Sequence, residues 1–139
     1  MTIYSDEIKV GMSASFTRTV SERDIDLFGE VSGDKNPVHF DEDYAKGTIF
    51  KGRIAHGMLS VSYMSTVLGM NLPGPGTIFL SATANFKAPV RIGDTVVTTC
   101  TVREVGERRR VIFDCVSKVG DTVVVDGEAL VMAPQRPKS

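Results

Sequence analysis

The chain has 139 residues, with 16 lysines and arginines against 17 aspartates and glutamates, so its formal net charge is −1. This length suits one domain with a sizeable core, and the near-neutral balance gives no electrostatic basis for binding nucleic acid or an anionic membrane. The first ten residues lack the apolar core of a signal peptide, and no apolar run approaches the ~20 residues that span a bilayer. We therefore expect a cytoplasmic protein.

The opening of the chain favours a strand followed by a helix. Residues 13–19 roughly alternate between polar and apolar, which predicts a strand. Ser21 is followed three residues later by Asp24, a variant of the capping box, and a helix is expected over 22–31. The apolar positions of this helix share one face: Ile25, Phe28 and Val31.

The next segments lead into the most apolar part of the sequence. A turn-rich stretch over 32–37 precedes a short helix predicted at 42–46. Residues 58–70 contain few polar positions, which predicts a helix that is buried nearly all round. Two prolines and two glycines after Asn71 end this helix abruptly.

The second half of the chain favours strands rich in Val, Thr, Ile and Phe. Their predicted bounds are 78–88, 94–104, 109–118 and 122–132. Tight turns between consecutive strands indicate an antiparallel meander. A long apolar helix before such a sheet is best buried when the sheet curls around it, so we predict an α+β protein with the hot-dog fold.

Two features concern the cysteines and the end of the chain. Cys100 and Cys115 lie in β-branched segments and are too few for a disulfide framework, so we expect buried, reduced thiols. Two prolines exclude regular structure from residues 134–139. We therefore expect a single domain over residues 1–133, followed by a short proline-containing tail.

Both histidines of the chain, His39 and His56, fall inside a window of 18 residues. A metal site is not favoured, because the histidines are 17 residues apart and no cysteine or further histidine completes a ligand set. No Gly-x-Ser-x-Gly motif supports a nucleophilic serine. Chemistry in this window must therefore come from another combination of side chains.

The strongest pairing in this window is a carboxylate and an imidazole across a proline turn. Asn36 and Pro37 restrain the backbone so that Asp34 and His39 can converge. An Asp and a His on one water molecule form an acid–base pair that works near neutral pH. The alternative is that these are ordinary turn residues, because Asp and Asn favour turns.

The start of the apolar helix is a second candidate. Free backbone N–H groups and the positive end of the helix dipole at Gly57 favour a developing negative oxygen. The alternative is that Gly57 only helps the chain to enter the helix. We expect His56 to be a helix-entry residue without a catalytic role. The serines of the helix can also simply bond back to its own carbonyl groups: Ser60, Ser62 and Ser65.

The motifs Asp-Lys-Asn-Pro-Val-His at 34–39 and Ile-Ala-His-Gly-Met at 54–58 resemble the hydratase signature of the MaoC-like family, in particular its single-domain (R)-specific enoyl-CoA hydratases. Segments 72–78 and 85–94 extend the resemblance over roughly residues 10–132. It implies a homodimer of hot-dog domains with active sites at the dimer interface and no metal or redox cofactor. It also implies syn addition of water to a trans-2-enoyl-CoA, giving an (R)-3-hydroxyacyl-CoA.

The resemblance also implies roles for the individual residues. Asp34 and His39 would activate the water and transfer the proton at C2, either of them being the base, while the Gly57 N–H polarises the thioester carbonyl. Asn36 would orient the loop. The polar residue of the pocket is expected to be Ser65, with Ser62 the weaker choice.

Basic residues offer contacts for the CoA phosphates, namely Lys87 and Arg91. The three arginines at 108–110 follow a Gly-Glu turn and are better explained as a solvated hairpin tip. Apolar side chains of the central helix and of residues 78–86 are expected to shape the acyl pocket.

Two other functions stay open. The first is an acyl-CoA thioesterase on the same fold, although thioesterases of this fold generally lack the Asp-x-Asn-Pro-x-His turn. The second is a non-catalytic acyl-CoA-binding subunit or a partner subunit of a heteromeric dehydratase. Such a subunit is expected to have lost the Asp or the His, and this sequence has both.

Overall fold

The computed structural model describes residues 1–138, so the last residue of the expected tail lies outside the described residues. A strand and three helices come first: β1 (Ser13–Thr19), α1 (Glu22–Ser32), α2 (Pro37–Phe40) and α3 (Glu42–Lys46). The long helix and the remaining strands follow: α4 (Gly57–Met70), β2 (Ile78–Ala82), β3 (Asn85–Phe86), β4 (Thr95–Val105), β5 (Arg110–Val119) and β6 (Thr122–Met132). Within residues 1–138, no helix has both the length and the apolar character needed to cross a membrane.

All strands belong to one antiparallel sheet with the order β1-β4-β5-β6-β2, and β3 also pairs with β6. The predicted meander is therefore right for β4, β5 and β6 but wrong for the strand before them. The reason is that β1 pairs with β4 along its whole length. Only the outer edge of β6 is left for β2 and β3.

The predicted strand over 78–88 is in fact two short strands, β2 and β3. The break falls at Thr83, whose carbonyl oxygen lies so close to Gly127 on β6 that no Cβ could be accommodated there. A glycine permits this close approach of two backbones. The segment therefore stays beside β6 in the same register on both sides of the break, and its one register shift falls earlier, between Phe79 and Ser81.

Helix α4 packs against one face of the sheet and touches β1, β4 and β6. Its side chains Met64, Val67 and Leu68 are fully buried, and Phe113 of β5 is fully buried in the same core. This is the predicted hot-dog arrangement, which the structure confirms. The two cysteines face each other across β4 and β5 as buried free thiols, again as predicted.

One side of α4 is not covered, contrary to the prediction of a helix buried nearly all round. Met58, Ser62 and Ser65 recur at helical spacing and are exposed, because the sheet covers only the opposite side of the helix. Helix α1 is also uncovered at its last turn. Ile25 is buried, but Val31 is 83% exposed, since nothing in residues 1–138 covers it.

The start of α1 is the capping box that the sequence predicts. The Asp24 backbone N–H donates to Ser21 Oγ at 3.1 Å, and the Ser21 N–H donates to the Asp24 carboxylate at 3.2 Å. Arg18 of β1 donates to the same carboxylate from Nη2 at 2.6 Å and from Nε at 3.1 Å. The Arg18 guanidinium holds the pKa of Asp24 below its ordinary value. Asp24 thus ties the first strand to the first helix.

We expect Asp24→Asn to lower the free energy of unfolding by about 1–2 kcal/mol at pH 7. A lowered pKa stabilises the fold only while the carboxylate is charged, so the difference should be full above about pH 5 and shrink as the pH falls below about 4. Urea unfolding at several pH values measures it. Asp26→Asn, at an exposed position of the same helix, is the control and should change little. A difference that does not depend on pH contradicts this role.

Candidate functional site

The loop after α1 contains a short helix, α2, that is absent from our predictions. Gly33 ends α1 with φ 78°, and its N–H donates to Gly29. Asn36 then caps α2 by accepting the Val38 N–H at 3.2 Å, and its own N–H donates to the Asp34 carboxylate at 3.2 Å. Asn-Pro is a known start signal for a helix, and it could have identified α2. Asn36 does orient this loop, as expected.

His39 lies on α2 and is only 8% exposed. Its Nδ1 is 2.8 Å from the carbonyl oxygen of Ile54, and because a carbonyl only accepts, Nδ1 carries the hydrogen. Burial lowers the pKa of His39, and the neighbouring His56 acts in the same direction. The ring is therefore neutral at pH 7, with a lone pair on Nε2 that can take a proton.

The side chains of Asp34, His39 and His56 meet at one place. One ligand atom from each lies within 4.8 Å of the other two. The predicted convergence of Asp34 and His39 is therefore confirmed, while their catalytic roles stay predictions. Asp34 is exposed and both histidines are buried, so the cluster has one side that substrate and water can reach.

His56 belongs to this cluster, which the sequence alone does not indicate. It does precede α4, as predicted, but its side chain does not cap the helix. The ring is 2% exposed, stacks on His39 with the ring centres 3.9 Å apart, and places Nε2 2.9 Å from the Asp34 carbonyl oxygen. The signal that could have found it is the presence of only two histidines, both in one window.

The argument against a metal from sequence separation is wrong, since folding brings the two histidines together. One carboxylate and two imidazoles are a donor set that metal ions use. In this cluster, however, His39 Nδ1 and His56 Nε2 each donate a hydrogen bond to a backbone carbonyl. The remaining nitrogen of His56 is fully buried. The geometry therefore suits proton transfer by Asp34 and His39 better than metal binding.

A cavity of about 460 Å³ opens beside this cluster at the start of α4. Six of the residues that line it are His39, His56, Gly57, Ser60, Phe86 and Lys87. The first N–H groups of a helix have no partner within the helix, and those of α4 begin at Gly57. The cavity therefore combines an imidazole lone pair with donors for a negative oxygen.

Gly57 is required at this position by close packing. A Cβ at residue 57 would lie 2.6 Å from Cε1 and 2.7 Å from Cδ1 of Phe86. Real side chains essentially never approach so closely, and Phe86 would have to move. Gly57 thus keeps the end of the helix open to the cavity, and the aromatic ring forms the opposite wall.

The two serines expected at the pocket do not line this cavity, and their role in the pocket stays a prediction. Within residues 1–138 neither Ser62 nor Ser65 lines this cavity. The hydroxyl of Ser62 donates to the Leu59 carbonyl at 2.5 Å, which is the back-bonding alternative, and Ser65 is exposed. The serine that does line the cavity is Ser60, which is 2% exposed.

The two basic residues expected to contact the CoA phosphates differ in their position relative to the cavity. Lys87 is exposed at the cavity lining, whereas Arg91 donates from Nη2 to the Phe50 carbonyl at 2.5 Å and lines no part of the cavity that the described chain forms. Arg108 lies exposed in the β4–β5 connection, as the hairpin-tip interpretation predicts, and Arg110 begins β5. Arg109 departs from that interpretation, because it is half-buried and donates from Nη1 to the Ala133 carbonyl at 3.1 Å. Of residues 78–86, only Phe86 is among the lining residues, so the expectation for that segment is too broad.

The chain matches one protein family and is similar to several named proteins. Residues 5–125 match the family described as the MaoC like domain. The chain is 54% identical to a protein of Rhodospirillum rubrum named (R)-specific enoyl-CoA hydratase, over 96% of this chain and 93% of that protein. It is 44% identical to a 3-hydroxybutyryl-CoA dehydratase of Methylorubrum extorquens, over 99% of this chain and 88% of the relative.

A solved structure shows the same fold. The R-hydratase PhaJ1 of Pseudomonas aeruginosa, in its unliganded form, superposes with a TM-score of 0.92 at 45% sequence identity. The match covers 97% of this chain and 88% of that chain.

Proposed function

The chain belongs to the family of MaoC-like domains, and on that basis we propose that it is an (R)-specific enoyl-CoA hydratase. The reaction is the reversible syn addition of water to a trans-2-enoyl-CoA, giving an (R)-3-hydroxyacyl-CoA. One observation carries the proposal: the Asp34 carboxylate and the His39 imidazole converge beside the start of α4. The 54% identity to the Rhodospirillum rubrum hydratase supports the choice of substrate class.

The proposed chemistry needs only proton transfer. Asp34 and His39 hold a water molecule, and one of them takes its proton as the oxygen bonds to C3. The C2–C3 π bond breaks, and its electrons accept a proton from the pair at C2 on the same face. His39 is suited to accept a proton because Nδ1–H is bound to Ile54 and Nε2 keeps its lone pair. The addition involves no net oxidation or reduction of the substrate. We therefore propose that the enzyme works without a metal or redox cofactor.

The negative charge that develops on the thioester oxygen is stabilised at the start of α4. We assign this to the Gly57 N–H, helped by the dipole of the 14-residue helix α4. One such donor is worth roughly 3–4 kcal/mol in the transition state. The absence of a Cβ at Gly57 leaves room for the Phe86 ring beside this donor.

The acid side of the pH profile tests the assignment of His39. Because burial lowers its pKa, we expect kcat/KM to fall only when the pH drops below about 6.5, the ordinary value for histidine. The lone pair on Nε2 is lost when the ring becomes protonated, so the rate decreases with falling pH. An acid limb above pH 6.5 contradicts a buried neutral imidazole as the proton acceptor.

Lys87 is proposed to meet a phosphate of CoA, because it is the lysine that lines the cavity. We expect Lys87→Ala to raise KM for crotonyl-CoA about 3- to 10-fold with little change in kcat. The N-acetylcysteamine thioester of crotonate, which has no phosphates, should show no such change. Lys118→Ala, on β5 and outside the cavity lining, is the matched control. An equal loss with both thioesters contradicts a phosphate contact.

We propose that the active form is a homodimer. The edge strand β2 is exposed along its length, and Ile78, Phe79 and Leu80 are 52%, 39% and 39% exposed. The uncovered side of α4 carries Met58, which lines the cavity and is 58% exposed. A second copy over these surfaces would remove apolar area from water. Sedimentation equilibrium tests this, and a fully active monomer at micromolar concentration contradicts it.

One assay separates the hydratase from the two other functions. The purified protein is incubated with crotonyl-CoA while loss of the enoyl-thioester absorbance and release of free CoA are followed together. Hydration without CoA release supports the proposal, and chiral analysis of the product tests the (R) assignment. CoA release indicates a thioesterase. Binding without turnover indicates a non-catalytic subunit.

A further inference from the structure

We propose that His56 is a positioning residue that holds Asp34 and His39 in their working geometry. This inference rests on the proposed hydratase function and deepens it. His56 touches both members of the pair by different means, and it is almost completely buried between them and two phenylalanines.

The first contact fixes the Asp34 loop. His56 Nε2 is 2.9 Å from the backbone carbonyl oxygen of Asp34, and because a carbonyl only accepts, Nε2 carries the hydrogen. The Asp34 side chain is exposed, so its own packing does not fix its direction. The hydrogen bond from a buried ring to the Asp34 backbone is therefore an anchor that sets where the carboxylate projects.

The second contact fixes the His39 ring. The two imidazoles stack with centres 3.9 Å apart and planes 29° apart. His39 is held from one edge by the Ile54 carbonyl and from one face by His56. These two restraints determine where the Nε2 lone pair points.

The surroundings of His56 explain why the ring itself does not move. Phe28 of α1 lies 4.9 Å from it between ring centres, and Phe40 of α2 lies 5.6 Å away, edge to face. The titratable groups that face His56 are His39 of α2 and Asp34 of the loop before it. Two cations contact the neighbours of His56. The Lys35 ammonium lies 5.7 Å from the Phe40 ring centre, and Arg53 Nε donates to the His39 carbonyl at 2.8 Å.

Packing alone does not account for a histidine here. Its Nδ1 is buried and has no hydrogen-bond partner within residues 1–138. A buried polar atom without a partner destabilises the fold, and a phenylalanine of similar shape would avoid it. What the imidazole supplies, and phenylalanine would not, is the Nε2–H donor to the Asp34 carbonyl.

Two substitutions separate the donor from the ring. His56→Phe keeps a stacked aromatic ring and removes the donor, whereas His56→Gln keeps an N–H donor near the position of Nε2. We expect kcat for crotonyl-CoA to fall about 10- to 100-fold in His56→Phe with KM changed less than about 3-fold, because misplacing a catalytic group acts on the chemical step. His56→Gln should recover most of the loss. A wild-type kcat in His56→Phe, or a change confined to KM, overturns the inference.

A spectroscopic measurement tests the geometry without turnover. The chain has two histidines, so the ring signals of His56→Phe belong to His39 alone and assign the wild-type spectrum. We expect the titration midpoint of His39 to rise in His56→Phe, because His56 lowers the pKa of His39 in the intact site. An unchanged or lower midpoint counts against the contact.

The wild-type protein supplies a test that needs no folded variant. Long-range ¹⁵N–¹H spectra should show His56 with its hydrogen on Nε2, and the opposite tautomer overturns the inference. If the wild-type protein does not hydrate crotonyl-CoA while this tautomer is found, the proposed function fails and the geometric part of the inference stands. If it does hydrate crotonyl-CoA and His56→Phe is as active, the inference alone fails.

Discussion

Asp34→Asn and His39→Ala are each expected to reduce kcat for hydration of crotonyl-CoA by about 10²- to 10⁴-fold, the range of a lost general acid or base. Asparagine keeps the shape of the side chain but cannot take a proton from water. Alanine removes the Nε2 lone pair and leaves the Ile54 carbonyl without the donor it has at 2.8 Å. Initial rates of the loss of enoyl-thioester absorbance would measure both, with binding of the substrate expected to persist.

The controls for these variants separate chemistry from folding. Asp26→Asn changes an exposed carboxylate on α1, outside the cavity lining, and should keep full activity. Circular dichroism and sedimentation should show that both site variants keep the fold and the association state of the wild type. Because the two groups act on one water, the double variant should lose little more than the worse single variant. Near-wild-type turnover in either single variant would contradict the proposed mechanism.

Gly57→Ala is expected to lower kcat about 10- to 100-fold, even though alanine keeps the backbone N–H. The added Cβ would lie 2.6 Å from the Phe86 ring, so either the ring or the start of α4 must shift. Both movements displace the donor from the position of the thioester oxygen, and small displacements of such donors are costly. Steady-state kinetics with crotonyl-CoA measure the loss, which should appear in kcat more than in stability.

Gly69→Ala is the matched control, since it lies in the same helix and a Cβ there meets nothing within 4 Å. It should leave kcat unchanged and raise the free energy of unfolding by up to about 1 kcal/mol, because alanine is the better helix former. Adding Phe86→Ala to Gly57→Ala should restore part of the activity if the ring is the obstacle. A loss of equal size in Gly69→Ala means that the effect of Gly57→Ala is a general helix effect.

Local features of this protein could be predicted from the sequence because short-range physics creates them. Ser21 and Asp24 form a capping box with each other, three residues apart, and the start of α1 follows. The strands β4, β5 and β6 are joined by tight turns, so their antiparallel order also follows from neighbouring residues. The convergence of Asp34 and His39 belongs to the same class, since they are only five positions apart and a proline lies between them.

Features that depend on distant contacts were decided by the tertiary structure. Strand β2 pairs with β6 because β1 already pairs with the free edge of β4. No local sequence pattern indicates this pairing. The place of Ser60 in the cavity, instead of Ser62 or Ser65, depends on which side of α4 the sheet covers. An apolar helix with little amphipathic contrast does not reveal its exposed side, because its sequence is apolar on nearly every face.

The sequence by itself determined the fold class, the order of most elements and the pair of residues proposed to carry the chemistry. Each of these depends on the periodicity of a segment or on side chains a few residues apart. Only the tertiary structure placed His56, which is 17 residues from His39, in stacking contact with it at 3.9 Å. That contact arises because α2 and the start of α4 pack together in three dimensions, and separation along the chain does not limit which rings meet in a folded core.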